Sequence, residues 1–223
     1  MKLKNYTVFD KQGTKKWDKL RDSVSHQSFF IPKNKNDYLT NLENFKPSKI
    51  VISDFEYLNK KFRLEKLISF CSGACKLEYH LMKKFDIACE VSDNTNSIER
   101  INRFQIFDKS SKIDINQNFK INVTPSTVIL LSRIDTEFED YQLEDFFKRL
   151  YESNAKWIYF IPAEIITFNT IIIKIKIFLI CLLRLRYPVP WGYIRSRNSF
   201  KKIWKSYYST ITFKKEGVIL KIK

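Results

Sequence analysis

The sequence is poor in the residues that bind metal ions or form disulfide bonds. Two histidines, His26 and His80, occur among its 223 residues. The four cysteines follow neither the paired spacing of a zinc site nor that of a disulfide framework. Two of them are four residues apart, but the chain offers few further ligands, so we expect no bound metal. The cysteines are Cys71, Cys75, Cys89 and Cys181.

No signal peptide, internal repeat or low-complexity linker is recognisable in the sequence. The opening residues, MKLKNYTVFD, lack the apolar core of a secretory signal. With so few cysteines, the chain is expected in a reducing cytoplasm. Its length allows one large domain with a self-sufficient core, or at most a domain with an appended lobe. We expect residues 1–62 to form a helical cover and residues 63–223 to form the main body of the same domain.

Acidic residues are scarce relative to basic ones. Asp and Glu total 24 against 40 Lys and Arg, which gives a formal net charge of +16. This excess favours phosphate-bearing partners, nucleic acid or an anionic membrane surface. The chain is also rich in Ile, Asn and Phe as well as Lys, and a bias in the base composition of the genome explains the excess of basic residues equally well. A mean hydropathy of -0.32 excludes a polytopic membrane protein, and 44% hydrophobic residues exclude general disorder.

From Leu64 onward, short apolar runs alternate with helical patterns. Such alternation predicts an α/β fold in which parallel strands are joined by right-handed helical crossovers. The C-terminal pattern differs, because two apolar runs flank a Gly-containing loop and predict a closing hairpin. The predicted parallel strands are 67–70, 87–89, 112–115, 128–131 and 157–161, the helices between them include 97–107 and 139–153, and the hairpin strands are 211–213 and 218–220.

The stretch 165–183 is the most apolar part of the chain, and its length approaches that of a membrane span. Lys174 and Lys176 lie near its middle, where each would cost roughly 2.5–3.5 kcal/mol at a bilayer centre. We first interpret the stretch as a helix packed on the domain or over an acceptor pocket. A second interpretation is an interfacial helix whose Lys174, Lys176, Arg184 and Arg186 contact lipid phosphates.

The turn after the first predicted parallel strand is a candidate ligand-binding site. In an open parallel sheet, ligands bind beyond the carboxyl ends of the strands. Ser69 to Cys75 read Ser-Phe-Cys-Ser-Gly-Ala-Cys, and these small residues let the backbone approach a ligand closely. The free amides of the next helix suit a carboxylate or phosphate. Gly73 is the best single candidate, although a plain tight turn also explains a glycine here.

Acidic residues near the following strand ends strengthen this candidate. Glu90 and Asp93 flank the end of the second predicted strand, roughly twenty residues beyond the glycine turn, where a carboxylate accepts hydrogen bonds from both ribose hydroxyls. Asp114 closes the third predicted strand, within reach of an adenine amino group. The pattern predicts a nucleoside held by three neighbouring strand ends.

Three segments resemble class I S-adenosylmethionine-dependent methyltransferases. The run LISFCSGACKLEYHL, from Leu67 to Leu81, resembles the first motif of that family. The runs STVILLSR, beginning at Ser126, and WIYFIPAE, beginning at Trp157, are similar to its fourth and fifth strands. The resemblance covers residues 64–165, and the terminal hairpin agrees in type. It implies a Rossmann-like, doubly wound sheet of about seven strands, mostly parallel with an antiparallel C-terminal strand.

The same resemblance implies S-adenosyl-L-methionine as the cofactor, with its methionine end over Gly73, its ribose on Glu90 or Asp93 and its adenine near Asp114. Two departures from the family pattern stand out. Ser69 occupies the position of the acidic residue of the motif, and Cys71 and Cys75 occupy the positions of its outer glycines. The residues assigned to the donor site are Ser69, Cys71, Gly73, Glu90, Asp93, Asp114 and Ser132.

After the fourth predicted strand, Ser132, Arg133 and Asp135 border the acceptor side. Arg133 would hold an anionic acceptor and Asp135 would act as a base, although ordinary loop polarity explains both residues as well. His80 is more simply a packing histidine than a catalyst. The run 191–197, WGYIRSR, either recognises a sugar, base or phosphate, or forms a loop and helix start with its arginines in solvent.

These observations predict a methyltransferase for a small-molecule, glycan or lipid-linked acceptor, with residues 165–205 as an acceptor-side insertion. An Asn/Asp-Pro-Pro-Tyr/Phe motif is lacking after the fourth strand, which argues against amino-directed DNA methylation. RNA methylation remains an alternative, because a formal net charge of +16 suits binding to a phosphate backbone. Two alternatives are a non-catalytic descendant that acts as a binding or partner protein, and a basic nucleic-acid-binding module.

Overall fold

The computed structural model describes residues 1–7, 14–24, 29–183, 189–214 and 216–223. The predictions that concern His26, Arg184 and Arg186 lie outside these residues. In chain order, the strands are Lys2–Thr7 (β1), Lys66–Phe70 (β2), Ala88–Asp93 (β3), Lys109–Lys112 (β4), Thr127–Ser132 (β5), Trp157–Ile161 (β6), Val189–Arg195 (β7), Tyr208–Phe213 (β8) and Val218–Ile222 (β9). The helices are Thr14–Asp22 (α1), Lys35–Glu43 (α2), Lys49–Phe62 (α3), Lys76–Phe85 (α4), Ser97–Phe104 (α5), Asp140–Glu152 (α6), Phe168–Leu183 (α7) and Arg197–Trp204 (α8), with a short 3-10 helix at Ile134–Thr136.

A seven-stranded sheet forms the centre of the fold, in the order β4-β3-β2-β5-β6-β9-β8. Strands β2 to β6 pair in parallel, whereas β9 is antiparallel to both β6 and β8. The strand order reverses between β2 and β5, and at such a switch point neighbouring crossovers leave a crevice at the carboxyl edge of the sheet. The predicted Rossmann-like sheet with an antiparallel C-terminal strand is therefore confirmed.

Both faces of the sheet are covered by helices, because successive residues of the central strands point to opposite sides. The continuous apolar run of β5 is buried on both faces, as expected for a central parallel strand. One face packs against α2 to α5 through strand residues that include Leu67, Val128, Leu130 and Tyr159. The other packs against α6 and α8 through strand residues that include Ile68, Ile129, Leu131 and Phe160.

Two predicted strand positions were wrong. β3 extends from Ala88 to Asp93, well past the predicted end at residue 89, because its later residues continue the ladder with β2. β4 begins at Lys109 and ends at Lys112, so it precedes most of the predicted segment 112–115. Its sequence, KSSK, carries no apolar pattern, and β4 is held as an edge strand by backbone pairing with β3.

The N-terminal segment is only partly a helical cover. Helices α2 and α3 pack on the sheet as expected, with Tyr38 and Phe55 fully buried. The first residues instead form β1, which pairs with β7 in a separate antiparallel ribbon. The guanidinium of Arg195 fastens this ribbon to the domain, because it donates to Asp140 Oδ1 at 2.7 Å, to Phe138 O at 2.6 Å and to Asp135 O.

Helix α7 follows β6 at the carboxyl edge of the sheet and leaves much of its apolar surface exposed. Ile173, Ile175 and Leu179 are each just over half exposed, at 52%, 53% and 52%. Lys174 forms an ion pair with Glu164 at 2.8 Å, which anchors one side of the helix. Within the described residues, no helix combines the length and the apolar character needed to cross a bilayer.

Candidate functional site

The turn between β2 and α4 has the backbone conformation of a glycine-rich loop although it contains one glycine. Cys71, Gly73 and Cys75 have φ values of 53°, 60° and 54°, all in the left-handed region. Cysteine carries a Cβ that opposes this conformation, at a cost of roughly 1–2 kcal/mol per residue. Cys71 and Cys75 thus adopt the left-handed backbone that glycine favours, and contacts with neighbouring residues have to offset this cost.

Hydrogen bonds to two neighbouring elements and one buried side chain hold the turn in place. Ser72 donates through its amide and its hydroxyl to Ser92 O, at 2.9 and 2.8 Å. The Tyr38 hydroxyl on α2 donates to Ala74 O at 2.9 Å. The Cys75 side chain is buried in the core on the helix α2 to α5 side of the sheet. The turn is therefore fixed from β3, from α2 and from the core below it.

Asp93 connects the end of β3 to the glycine of the turn. Its Oδ2 accepts a hydrogen bond from Gly73 N at 2.8 Å, and its Oδ1 accepts one from Thr95 N at 3.0 Å. The carboxylate also lies 3.8 Å from the Arg21 guanidinium of α1. Asp93 ends β3, as predicted, and contacts Gly73 beside the crevice formed where the sheet order reverses.

Glu90 does not belong to this crevice. It lies within β3, because the strand is longer than predicted, and its side chain forms an ion pair with Lys66 at 2.6 Å. Lys66 is the first residue of β2, at the amino edge of the sheet, whereas Gly73 follows the carboxyl end of that strand. The prediction that Glu90 flanks a strand end beside the glycine turn is wrong, and Asp93 is the carboxylate in that position.

Asp114 follows the end of β4 and lies near the turn. Its Oδ1 accepts a hydrogen bond from Asn116 N at 2.9 Å, which shapes the loop beyond the strand. Burial is the main reason that the pKa of the Cys71 thiol is raised. The neighbouring carboxylates of Asp93, Asp114 and Glu137 raise that pKa further. Asp93 and Asp114 thus both lie close enough to Cys71 to influence its thiol.

Ser69 has a buried acidic partner. Its hydroxyl donates to Glu78 Oε1 on α4 at 2.7 Å, and Glu78 is 2% exposed. Burial raises the pKa of Glu78 to about 7, against the effect of the Ser69 hydrogen bond, which lowers it. A carboxyl group is thus present beneath the turn, supplied from the helix and not from the strand.

On the acceptor side, the three candidates after β5 have different environments. Ser132 is half-buried at the end of β5, and Arg133 is exposed with a φ of 58°. Asp135 has no exposed surface, and its Oδ1 accepts a hydrogen bond from Ala163 N at 2.9 Å. Its Oδ2 has no hydrogen-bond partner among the described residues. Burial raises the pKa of Asp135 to about 6.

The remaining candidates from the sequence, His80 and the run 191–197, make contacts within the fold. His80 Nε2 lies 2.8 Å from Leu42 O, and its ring contacts Phe45, so it packs α4 against α2. Arg195 is fully buried and fastens β7, which corrects the interpretation that it lies in solvent. Arg197 is exposed at the start of α8, with its guanidinium over the Phe213 ring.

Two residues of the site carry no recognisable signal in the sequence. Arg21 lies in an N-terminal segment whose pattern predicts only a helical cover. Glu78 lies in an ordinary amphipathic helix, and only its spacing of nine residues from Ser69 relates it to the motif. Each of them contacts a residue of another element, Asp93 for Arg21 and Ser69 for Glu78, and the tertiary fold brings these elements together.

No protein-family model matches this sequence, and no curated protein matches it. Solved structures with similar folds include human N-acetylserotonin methyltransferase in complex with S-adenosylmethionine, at 12% identity and a TM-score of 0.52, with 92% of this chain and 66% of that chain covered. Magnesium protoporphyrin IX methyltransferase from Synechocystis PCC 6803, with bound S-adenosylhomocysteine, has 9% identity and a TM-score of 0.55 over 93% of this chain and 98% of that chain.

A third similar structure is an O-methyltransferase from neocarzinostatin biosynthesis, in complex with S-adenosylhomocysteine and 1,4-dihydroxy-2-naphthoic acid. It has 10% identity and a TM-score of 0.54 over 72% of this chain and 50% of that chain. The chain thus spans about half to two thirds of some of these proteins and nearly all of another. At these identities the likeness concerns the fold, and this chain has the fold of the class I S-adenosylmethionine-dependent methyltransferases.

Proposed function

We propose that this chain is an S-adenosylmethionine-dependent methyltransferase that acts on a small-molecule acceptor. The observation that carries the proposal is the bond between Gly73 N and the Asp93 carboxylate at the switch point of the sheet. A strand-end carboxylate beside a tight turn is the arrangement that binds the ribose of a nucleotide ligand in this class of sheet.

The residues of the crevice fit the donor. The left-handed backbone at Cys71, Gly73 and Cys75 keeps the turn shape that lets a ligand approach the main chain. Asp93 would hold the ribose hydroxyls, and Asp114 would border the adenine. When bound, the donor supplies a methyl group activated by its attachment to a sulfonium.

The protein is then required mainly to align the acceptor with the methyl group, since an in-line displacement gains most from orientation. Arg133 is exposed directly after the carboxyl end of β5, and its charge suits an anionic acceptor. Asp135 has no exposed surface, so proton removal by this residue would require the overlying β7 to move. We therefore propose Arg133 as an acceptor-binding residue, and we propose a structural role for Asp135 in holding the loop after β6.

The similar methyltransferases named above favour a small acceptor. The exposed apolar surface of α7, beside the carboxyl edge of the sheet, favours an apolar or lipid-linked acceptor.

Co-sedimentation with vesicles tests whether the acceptor is lipid-linked. Binding to anionic vesicles that the exposed-face variant Leu179→Gln weakens supports a lipid-linked acceptor. If the fraction of protein in the supernatant does not change when vesicles are added, a freely diffusing acceptor is favoured. Affinity for RNA that falls steeply with salt would point to an RNA acceptor instead.

Calorimetric titration with S-adenosylmethionine and S-adenosylhomocysteine tests the donor site. We expect saturable binding that Asp93→Asn weakens. The matched control is Asp108→Asn, because the Asp108 carboxylate accepts a backbone amide from Cys89 at 2.7 Å, at the opposite end of β3. Equal effects of the two variants, or no binding by a well-folded protein, would contradict the proposal.

Methyl transfer itself needs a separate measurement. Labelled donor incubated with pools of small molecules, glycans, lipids and RNA should transfer its label to one pool. Tight donor binding without label transfer to any pool would instead support a non-catalytic binding protein.

A further inference from the structure

Basic side chains collect at the amino edge of the central sheet, opposite the crevice around Gly73. This edge is formed by the first residues of β2, β5 and β6 and by the last residues of β9, because β9 runs antiparallel to β6. Helices α3 and α8 end beside it, before β2 and β8. We define the basic strip as the lysine and arginine residues of this edge: Lys60, Lys61, Arg63, Lys156, Lys205 and Lys221. All of them are exposed except Lys156, which is half-buried.

At one end of the strip, two lysines flank a pair of aromatic rings. The rings of Phe62 and Trp157 pack together with centroids 3.8 Å apart. Lys61 Nζ lies 5.4 Å from the centre of the Phe62 ring, and Lys221 Nζ lies 5.6 Å from the centre of the Trp157 ring. These contacts join the end of α3 to β6 and β9, so the positive charges of three elements form one surface.

The strip continues across the ends of the antiparallel strands. Ile222 N donates to Lys156 O at 2.9 Å, and Lys223 N donates to Tyr207 O at 3.1 Å. The Tyr207 ring contacts the ring of Tyr151 near the end of α6, with centroids 5.6 Å apart, and Tyr151 is 40% exposed. Aromatic rings thus border the basic side chains on both faces of the sheet.

The charges of the strip are largely uncompensated. Four of the basic side chains have no ion-pair partner among the described residues, namely Lys60, Arg63, Lys156 and Lys205. The acidic residues within four positions of the strip along the chain are Glu56, Glu65 and Glu152. Two of these carboxylates already pair with other lysines, Glu56 with Lys84 and Glu152 with Lys148.

Helix dipoles account for only part of this distribution. Lys60 and Lys61 lie in the last turn of α3, where the negative end of the helix dipole favours a cation. Lys156 and Lys221 lie outside the helices, so this reason does not apply to them. Like charges held close together repel one another, and an anionic ligand would offset that repulsion.

We propose that the basic strip binds a single-stranded nucleic acid, which it contacts through the phosphates and through unpaired bases. Binding of phosphates by lysine and arginine releases counterions, and exposed aromatic rings stack on bases that a duplex would keep paired. The large aliphatic side chains that could enter a bilayer are exposed mostly on α7, at the opposite edge of the sheet. A nucleic acid therefore fits the strip better than a membrane does. A strand bound there anchors the protein and lies away from the proposed donor site.

Fluorescence anisotropy with a labelled oligouridylate of about 16 nucleotides tests the charges of the strip. We expect the triple variant Lys61→Gln, Arg63→Gln, Lys221→Gln to weaken binding by at least about 10-fold at low salt. The slope of log affinity against log salt concentration should become shallower by about 2, because each lost phosphate contact removes about 0.7.

The matched control removes the same charge at Lys19, Lys33 and Lys35, which are exposed on α1 and around the start of α2. This region faces the other edge of the sheet, since Tyr38 of α2 bonds to Ala74 of the glycine turn. The control variant should stay within about 3-fold of the wild-type affinity, because distant charges are screened by salt.

Stacking has its own pair of variants. Tyr151→Leu should weaken binding by at least about 5-fold, because it removes a ring on which a base can stack. Tyr141→Leu is the control, because Tyr141 is 71% exposed at the opposite end of α6. It should leave the affinity within about 2-fold of wild type.

Four results would overturn the proposal. Equal losses in the two triple variants would mean that net charge alone attracts the strand. Loss of binding in Arg133→Ala, with binding kept in the strip variant, would place the strand at the acceptor side. Strip variants that lose binding to phosphatidylglycerol vesicles but keep the oligouridylate would assign the strip to a membrane. The fourth result is a folded wild type that does not bind the oligouridylate at low salt. Titration with S-adenosylhomocysteine should be unchanged in the strip variants, so this proposal and the proposed function can fail independently.

Discussion

At the scale of single residues, the buried carboxyl group of Glu78 couples stability to pH. Burial places its folded-state pKa at about 7, above the ordinary value of 4.5. Between these values the folded protein binds more protons than the unfolded chain, so stability falls as pH rises and the loss is complete above the folded-state pKa. By this linkage the ionised carboxylate costs about 3 kcal/mol at the upper end.

Glu78→Gln removes this titration and keeps the acceptor for Ser69. We expect its unfolding free energy, relative to wild type, to rise by about 3 kcal/mol between about pH 4 and about pH 8. Denaturant titrations across that range measure the difference. Glu144→Gln, on the exposed side of α6, is the control for the effect of replacing a glutamate outside the core. A difference for Glu78→Gln that does not change with pH would mean that the Glu78 carboxyl group is solvated.

Cysteine at a left-handed position gives a second prediction. Cys71→Gly should be more stable than Cys71→Ala by about 1 kcal/mol, because both lose the thiol and only glycine relieves the positive φ. At Ser72, whose φ is not positive, the order should reverse. Ser72→Ala should be more stable than Ser72→Gly by about 0.4–1 kcal/mol. Chemical denaturation of the four variants tests this, and the same order at both positions would contradict the strained turn.

At the scale of elements, the buried side chain of Arg195 attaches the ribbon of β1 and β7 to the domain. Arg195→Ala leaves the carbonyls of Asp135 and Phe138 without their donor, and it should lower the unfolding free energy by about 3 kcal/mol. Lysine should not rescue it, because one ammonium group cannot reach three separate acceptors. The exposed Arg197→Ala is the control, with a loss below about 1 kcal/mol. Equal losses would refute the anchoring role.

The elements also show which features a sequence encodes locally. β5 is predicted to within one residue at each end, because its apolar run is continuous and both of its faces are buried. β4 is misplaced because an edge strand made of lysine and serine has no periodicity to detect. The turn around Gly73 and the position of Asp93 at the end of a strand follow from spacing along the chain. Arg21 does not, because its contact with Asp93 joins residues that are distant in sequence and is created by the fold.

At the scale of the whole molecule, the proposed binding of the donor would be linked to folding. A ligand that binds only the folded chain adds about 2.7 kcal/mol to the unfolding free energy at about 100 times its Kd. We expect S-adenosylhomocysteine to produce this gain, and Asp93→Asn to reduce it at the same ligand concentration. Denaturation with and without ligand measures both. A gain of equal size in Asp93→Asn would show that the ligand binds elsewhere.

The position of β9 between β6 and β8 has a consequence for synthesis of the protein. β6 is complete at residue 161, but its outer neighbour is the segment 218–222. While the chain leaves the ribosome, the backbone groups along that side of β6 therefore lack their native partner for some sixty residues of elongation. β8 emerges earlier than β9 yet attaches to the sheet only through it. The nascent protein consequently carries an open, aggregation-prone sheet edge until β9 inserts.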